Sequence, residues 1–410
     1  MVLISATSKN KRVNRWLALF WIAIAELFAL SLWFSASAVL PQLEKEWGMD
    51  AVQGSWLTSS VQIGFIFGAI ISAFLGLADR VNPRKLFAIS CVIGAVVNGL
   101  FILSSGMKIG LILQFCTGIT MAGVYPTAVK LLSMWFQNRR GFGIGVLIAA
   151  LTLGSSLPHF LLLFTSDVSW KVMMVVSSLL ALVAAAIMQW ALPEAPVSSR
   201  KSVSVSLGIL KKVIKNRPVM LANYGYFGHM WELYAMWTWI PSFLTASFKI
   251  SLIGTSLQEM STLFSFLTIG LSGAIGCIVG GIYADKIGKA RLSMIAMAIS
   301  SVSSICIGFT FGRSIWFTVI VAVIWGMSVV ADSGQFSAVV ADLAESEYVG
   351  TALTFQMAIG FLFTVISIYL IPVLEPLLGW QLVFSILAIG PIAGIWAMIL
   401  LRRDEKLRVE

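Results

Sequence analysis

The sequence predicts an all-α polytopic membrane protein with twelve transmembrane helices in two parallel-repeat six-helix bundles. Three observations predict this fold. Hydrophobic residues make up 59% of the 410 residues and charged residues only 11%, unlike a water-soluble domain of ordinary composition. Apolar runs long enough to cross a hydrocarbon core of about 30 Å recur along the whole chain. Features of the first half also recur in the second half at a constant offset.

The apolar runs are continuous, whereas the strands of a membrane β-barrel alternate apolar and polar residues, so a barrel is excluded. The twelve predicted spans lie near residues 15–40, 55–78, 86–104, 109–131, 142–165, 170–192, 218–247, 258–284, 291–312, 314–341, 349–372 and 380–402. Glycines in several of them, such as Gly64 and Gly276, have the small-residue spacing that lets membrane helices pack closely.

The net charge of +10 reflects how basic residues are distributed between the two sides of the membrane. All but five of the 28 lysine and arginine residues fall in segments that lie on one side if the N-terminus is cytoplasmic. The positive-inside rule therefore places both termini in the cytoplasm, and no nucleic-acid partner is needed to explain the basicity. The five on the outer side are Lys45, Lys108, Lys171, Lys249 and Arg313.

An internal repeat divides the predicted spans into two sets of six. At an offset of 206 residues, Glu26 aligns with Glu232 and Trp33 with Trp239. An even number of spans per copy makes the two copies parallel. We therefore predict an N-terminal six-helix bundle at 1–192, a cytoplasmic central loop at 193–217 and a C-terminal six-helix bundle at 218–410.

The same offset relates two polar segments at the cytoplasmic ends of even-numbered spans, "LGLADRVNPRKL" (75–86) and "GGIYADKIGKARL" (280–292). Both resemble the G-x-x-x-D-(R/K)-x-G-(R/K)-(R/K) signature of the major facilitator superfamily, the second more closely than the first. The resemblance covers nearly the whole chain and implies a transporter. An aspartate there can face the positive end of a helix in the other half, in one gate state only. The gating candidates are Asp79, Arg80, Asp285, Lys286 and Gly288.

Ionisable residues also lie deep inside the predicted spans. Counted from the start of span seven near residue 218, His229 and Glu232 are roughly 16 to 21 Å deep at 1.5 Å per residue, and Glu26 has a similar depth on span one. A charge there costs about 2.5 to 3.5 kcal/mol. We therefore expect these groups to face a partner or a wet cavity, or to stay protonated. His229 and Glu232 are spaced to share a proton, and Glu232 is the first candidate for a proton carrier; a structural ion pair is the alternative.

Further candidates share a helix face with an acid. Trp33 follows Glu26, and Trp239 follows Glu232, by seven residues, which suits a cationic or amphipathic solute; an interfacial aromatic belt is the alternative. Asp332 and Gln335 on span ten could line a cavity from the second half. The predicted substrate and proton site therefore comprises Glu232, Glu26, Asp332, His229, Gln335, Trp33 and Trp239.

The sequence thus predicts a secondary active transporter in a bacterial inner membrane, working by alternating access and driven by protons. It contains no phosphate-binding loop, H-E-x-x-H or G-x-S-x-G motif, so we expect neither an enzyme nor a cofactor or metal. The expected partners are a small-molecule substrate, protons and membrane lipid, for a monomer. A sensor or scaffold of the same fold without net transport is the alternative. Efflux of drugs or organic ions and uptake of nutrients or anions both remain open.

Overall fold

The computed structural model describes residues 2–136, 140–164, 169–193, 207–251, 257–345 and 348–407. These residues form helices joined by short turns and contain no strand. In the first half of the chain the helices are α1 (Val2–Leu30), α2 (Ser35–Ala38), α3 (Leu40–Trp47), α4 (Ala51–Leu75), α5 (Leu77–Arg80), α6 (Pro83–Leu100), α7 (Met107–Met121), α8 (Tyr125–Trp135), α9 (Arg140–Leu162) and α10 (Trp170–Ala186).

A short connecting helix, α11 (Leu207–Lys215), precedes the second half. The remaining helices are α12 (Arg217–Ser251), α13 (Leu257–Phe266), α14 (Ser272–Ile287), α15 (Lys289–Phe309), α16 (Ile315–Val330), α17 (Ser333–Leu343), α18 (Val349–Leu382) and α19 (Ile389–Leu407). Short 3-10 turns lie at Phe101–Leu103 and Val383–Ala388, and π-helical turns at Ile187–Ala191 and Leu267–Leu271.

The described residues include nine helical segments that are long and apolar enough to cross a membrane. The last of them, Val349–Asp404, has 56 residues and would be about 84 Å long if straight, so it is too long for one crossing. Gly379, with φ of 66°, interrupts it. Helices α1 and α12 lie outside these nine segments. The predicted class, an all-α polytopic membrane protein, is confirmed, while the exact count of twelve and the bundle boundaries at 192 and 218 stay predictions.

Local sequence explains where α4 begins and ends. The Asp50 carboxylate accepts a hydrogen bond from the Gln53 backbone N–H at 2.7 Å, and the Gln53 side chain accepts one from the Asp50 N–H at 3.1 Å. This reciprocal cap satisfies two N–H groups that the first turn leaves without helical partners. At the other end Gly76 adopts φ of 61°, the left-handed conformation that commonly ends a helix.

Glycines allow some of these helices to touch backbone to backbone. A Cβ atom on Gly64 of α4 would lie 2.0 Å from the carbonyl oxygen of Phe115 on α7. A Cβ on Gly276 of α14 would lie 2.1 Å from the carbonyl oxygen of Met327 on α16. No larger residue fits at either separation, which confirms the packing role predicted for these two glycines.

Two predicted spans are broken at corresponding places in the two halves. Span four consists of α7 and α8, separated by residues 122–124, and span ten consists of α16 and α17, separated by residues 331–332. The two breaks are related by nearly the same offset as the sequence repeat. Broken helices in corresponding positions of transporter halves often form the substrate and ion sites.

Candidate functional site

A cavity of about 660 Å³ lies at the two helix breaks. Tyr125, the first residue of α8, and Ser333, the first residue of α17, both line it, together with residues from α1, α4, α9, α12 and α18. We call it the central cavity. The aromatic residues that line it are Trp33, Phe65, Tyr125, Tyr226, Tyr234, Trp237 and Phe361.

His229 is the histidine in the wall of the central cavity, and Asp332 lies behind it. The His229 Nδ1 atom lies 2.9 Å from the Asp332 Oδ1 atom, and both side chains are almost completely buried. On the other side of the ring, His229 Nε2 lies 3.0 Å from the Ser333 hydroxyl. The contact with Asp332 is an ion pair when the imidazole is protonated. Its geometry is not that of a linear hydrogen bond, because neither Asp332 oxygen has a hydrogen-bond partner among the described residues.

The break between α16 and α17 explains how Asp332 reaches this position. Asp332 precedes the first residue of α17, and its side chain does not cap that helix. The carboxylate is therefore left to face His229 on α12. The structure thus places an ionisable pair at the wall of the central cavity.

Glu232 does not share a hydrogen bond with His229, contrary to our expectation. The Trp325 indole N–H donates to Glu232 Oε1 at 2.7 Å, and the Ser300 hydroxyl donates to Oε2 at 2.7 Å. Although Glu232 and His229 are three residues apart on α12, their side chains point to different neighbours. Glu232 is 1% exposed and does not line the central cavity. Its two donors hold the carboxylate between α12, α15 and α16.

Glu26, the repeat counterpart of Glu232, has a different environment. It is completely buried, it does not line the central cavity, and neither of its carboxyl oxygens has a hydrogen-bond partner among the described residues. The positions that correspond to Ser300 and Trp325 at the repeat offset hold Gly94 and Ile119, which have no side-chain donors. The repeat therefore conserves the carboxyl group but not its partners.

The structure brings one of the two predicted tryptophans to the central cavity. Trp33 lines it, and its indole N–H has no hydrogen-bond partner in the described part of the chain. Trp239 is instead buried and donates to the carbonyl oxygen of Ile368 at 2.9 Å, an arrangement that neither the cavity role nor the interfacial belt anticipated. Gln335 is also buried, one turn beyond Asp332, outside the cavity lining. The positions of Trp239 and Gln335 follow from packing between helices.

The gating candidates lie at the predicted cytoplasmic end. Asp79 lies outside the residues whose side chains are described. Asp285 is exposed, and its carboxylate makes no hydrogen bond or ion pair with any described residue, so the expected contact with a helix end is not formed in this structure. Its gating role stays a prediction. Gly288 ends α14 with φ of 90°, a backbone conformation that favours glycine.

Two of the basic gating candidates lie at the surface. Arg80 and Lys286 are exposed, and the Lys286 ammonium lies 5.4 Å from the centre of the Tyr283 ring. The ion pair of this loop joins Lys289 to Asp342 on α17.

A second and wider cavity, of about 1350 Å³, lies at the predicted outer end, and we call it the vestibule. Its walls include Ser37, Glu44, His159 and Lys249. Burial, together with the charge of nearby Asp50, raises the pKa of Glu44 above its ordinary value. Trp237 lines both the vestibule and the central cavity. This indole therefore separates the two spaces.

Sequence reasoning missed several cavity residues, including Tyr226, Tyr234 and Trp237. The sequence does contain a signal for them. Tyr226, His229, Tyr234 and Trp237 follow one another at spacings of three, five and three residues, and all four line the cavity from α12. Mapping the helix face that carries a buried histidine would have identified them. Tyr125 has a weaker signal, its position just before Pro126 at the start of α8.

Comparisons with known proteins identify similar sequences and folds. The family model described as Major Facilitator Superfamily matches residues 22–362, and a second match covers residues 254–410. A probable sulfoacetate transporter of Cupriavidus necator is 24% identical over 277 residues, which is 62% of this chain and 61% of that protein. A putative niacin/nicotinamide transporter of Bacillus subtilis is 25% identical over 223 residues, 50% of this chain and 52% of that protein. The matched segments thus span little more than half of these relatives.

A solved structure extends the likeness over almost the whole fold. The crystal structure of the nucleoside transporter NupG superimposes with a TM-score of 0.71 and covers 94% of this chain and 99% of that one. The two sequences are 14% identical, so the likeness concerns the fold alone.

Proposed function

Because this chain belongs to the Major Facilitator Superfamily of membrane transporters, we propose that it moves a small solute by proton-coupled alternating access. The observation that carries the coupling is the contact between His229 and Asp332 at the wall of the central cavity. Family membership makes the chain a multi-pass membrane transporter rather than an enzyme. We place it in a bacterial inner membrane with both termini in the cytoplasm, which puts the vestibule on the outer side.

Proton coupling requires a group whose protonation changes the energy of the occupied cavity. With His229 protonated, the pair with Asp332 is electrically neutral. With His229 neutral, a single buried negative charge remains beside the cavity, and such a charge is costly within a membrane protein. A solute that prefers one of these two states shifts the proton equilibrium, and by linkage the proton shifts solute binding equally.

Alternating access requires the central cavity to open to one side at a time. Trp237 stands between the central cavity and the vestibule. We infer that its movement connects the two spaces, and that closure of the vestibule accompanies opening to the cytoplasm. Glu232, held by two donors away from the cavity, has a structural role in this scheme rather than that of proton carrier.

The cargo is proposed from the relatives. The similar proteins are named as transporters of sulfoacetate and of niacin or nicotinamide, and others as transporters of gallate and benzoate. We therefore favour uptake of a small organic acid over efflux of drugs.

The test is accumulation of radiolabelled niacin, sulfoacetate or benzoate by proteoliposomes under an imposed pH gradient. We expect His229→Gln and Asp332→Asn each to lower gradient-driven accumulation at least tenfold, which corresponds to about 1.4 kcal/mol. Exchange of labelled for unlabelled solute should persist, because it needs no net proton movement. Wild-type accumulation in both variants would refute the assignment of the pair. Binding by the wild-type protein without any flux would instead favour a sensor.

A further inference from the structure

Residues that line the central cavity carry hydrogen-bond donors without partners among the described residues. The indole N–H groups of Trp33 and Trp237 lack a hydrogen-bond partner among the described residues. The hydroxyls of Tyr125, Tyr226 and Tyr234 also make no hydrogen bond with any described residue. A buried donor without an acceptor costs about 1 to 3 kcal/mol, so a solute that supplies acceptors is favoured.

The carboxyl groups near the central cavity are not part of its lining. Glu26 and Glu232 do not line the cavity, and Asp332 lies behind His229. The oxygens of Glu232 are already engaged by Trp325 and Ser300. A cationic solute would therefore find no free carboxylate among the described residues of the wall, and it would lie beside His229 when that ring is protonated.

The remaining wall is aromatic and joins the two halves of the chain. The ring centres of Phe65 and Phe361 are 4.6 Å apart, those of Trp33 and Phe65 are 5.1 Å apart, and those of Tyr234 and Phe361 are 5.2 Å apart. Aromatic groups interact well with a planar ring placed against a face or an edge. This wall fits a flat, unsaturated solute better than a branched or highly hydrated one.

We propose that the central cavity selects a planar aromatic monoanion, in chemical terms an aryl carboxylate. The ring lies against the aromatic wall, and the carboxylate accepts hydrogen bonds from the tyrosine and tryptophan donors. The inference rests on the proposed function, because the anion enters together with the proton on His229. The polar groups that face His229 are Asp332, Ser333 and Tyr226, and the Phe336 ring also lies against it, so a proton on His229 makes its pair with Asp332 neutral. Glu232, on the same helix, faces Ser300 and Trp325 instead.

Calorimetric titration of the purified full chain with four probes tests the proposed substrate class. Benzoate has both the ring and the charge, benzamide keeps the shape without the charge, benzylammonium reverses the charge, and cyclohexanecarboxylate keeps the charge without the aromatic ring. We expect benzoate to bind at least tenfold more tightly than each of the other three. Preferential binding of benzylammonium, equal binding of benzoate and benzamide, or no binding of any probe would overturn the proposal.

Tyrosine variants test the donors directly. Tyr226→Phe and Tyr234→Phe keep the ring and remove one hydroxyl each, and at least one of them should weaken benzoate binding about tenfold, as expected for loss of a hydrogen bond to a charged group. Tyr224→Phe is the matched control, because Tyr224 lies on the same helix, is 51% exposed and does not line the cavity. Unchanged benzoate affinity in both cavity variants would contradict the proposal.

Failure of this inference is distinguishable from failure of the proposed function. If benzylammonium binds and accumulates under a pH gradient, proton-coupled transport stands and the substrate class is wrong. If benzoate binds as expected but does not accumulate under the gradient, the class stands and the coupling is wrong.

Discussion

At the scale of single residues, burial of the ionisable groups was predictable but partner choice was not. Counting along α12 predicted that His229 and Glu232 lie far from the ends of their span, and both are buried within the protein. Their spacing suggested a shared proton, yet one faces Asp332 and the other Trp325 and Ser300. Contacts between residues about a hundred positions apart in the chain depend on how helices pack, which local spacing does not specify.

The environment of Glu232 predicts that an amide is tolerated there. In Glu232→Gln the amide oxygen can accept from Trp325, and the amide nitrogen can donate to the Ser300 hydroxyl, which already lies 3.1 Å from the carbonyl oxygen of Met297. We expect wild-type thermal stability and near wild-type accumulation under a pH gradient. Glu232→Leu leaves the indole N–H without an acceptor and should cost about 1 to 3 kcal/mol. Loss of accumulation in a well-folded Glu232→Gln variant would restore Glu232 as the proton carrier.

At the scale of helices, the apolar runs predicted where most of the long helices lie, because length and hydropathy are local properties. The breaks at 122–124 and 331–332 were not predicted, since neither segment interrupts its apolar run with a long polar stretch. Tertiary packing acts at the second break: α14 approaches α16 through Gly276 and reaches the carbonyl oxygen of Ala331 through Gly280, just before Asp332. The close contact thus lies beside the residue that pairs with His229.

The backbone contact between α14 and α16 predicts a large difference between two glycine variants. Gly276→Ala places a methyl group 2.1 Å from the Met327 carbonyl oxygen, so the helices must separate, at a cost of about 1 to 3 kcal/mol. Gly350→Ala is the matched control, because that helical glycine has no atom within 4 Å of the added Cβ. It should be neutral or stabilising by about 0.4 to 1 kcal/mol. Thermal unfolding in detergent would measure the stability of both variants. Equal unfolding midpoints would show that the contact between α14 and α16 does not limit stability.

At the scale of the whole molecule, the repeat and the positive-inside pattern predicted a pseudo-symmetric transporter, and the family comparison confirms the class. What the repeat could not show is the asymmetry of the site. The corresponding acids, Glu26 and Glu232, have different neighbours, and the contact proposed to carry the proton, His229 with Asp332, has no counterpart in the first half. At the repeat offset those two positions correspond to Ala23 and Pro126, neither of which is ionisable.

The vestibule provides a test of alternating access as a motion of the whole molecule. Ser37 and Ser242 line opposite sides of the predicted division between the halves, whereas Ser242 and Thr262 both lie in the second half. After replacement of the four native cysteines, cross-linking Ser37→Cys to Ser242→Cys should prevent the vestibule from changing width and abolish transport, with recovery on reduction. Cross-linking Ser242→Cys to Thr262→Cys should leave most of the activity, because both positions move together. If the first cross-link leaves transport intact, the halves do not rock about the central cavity, and access must change through local movement of Trp237 alone.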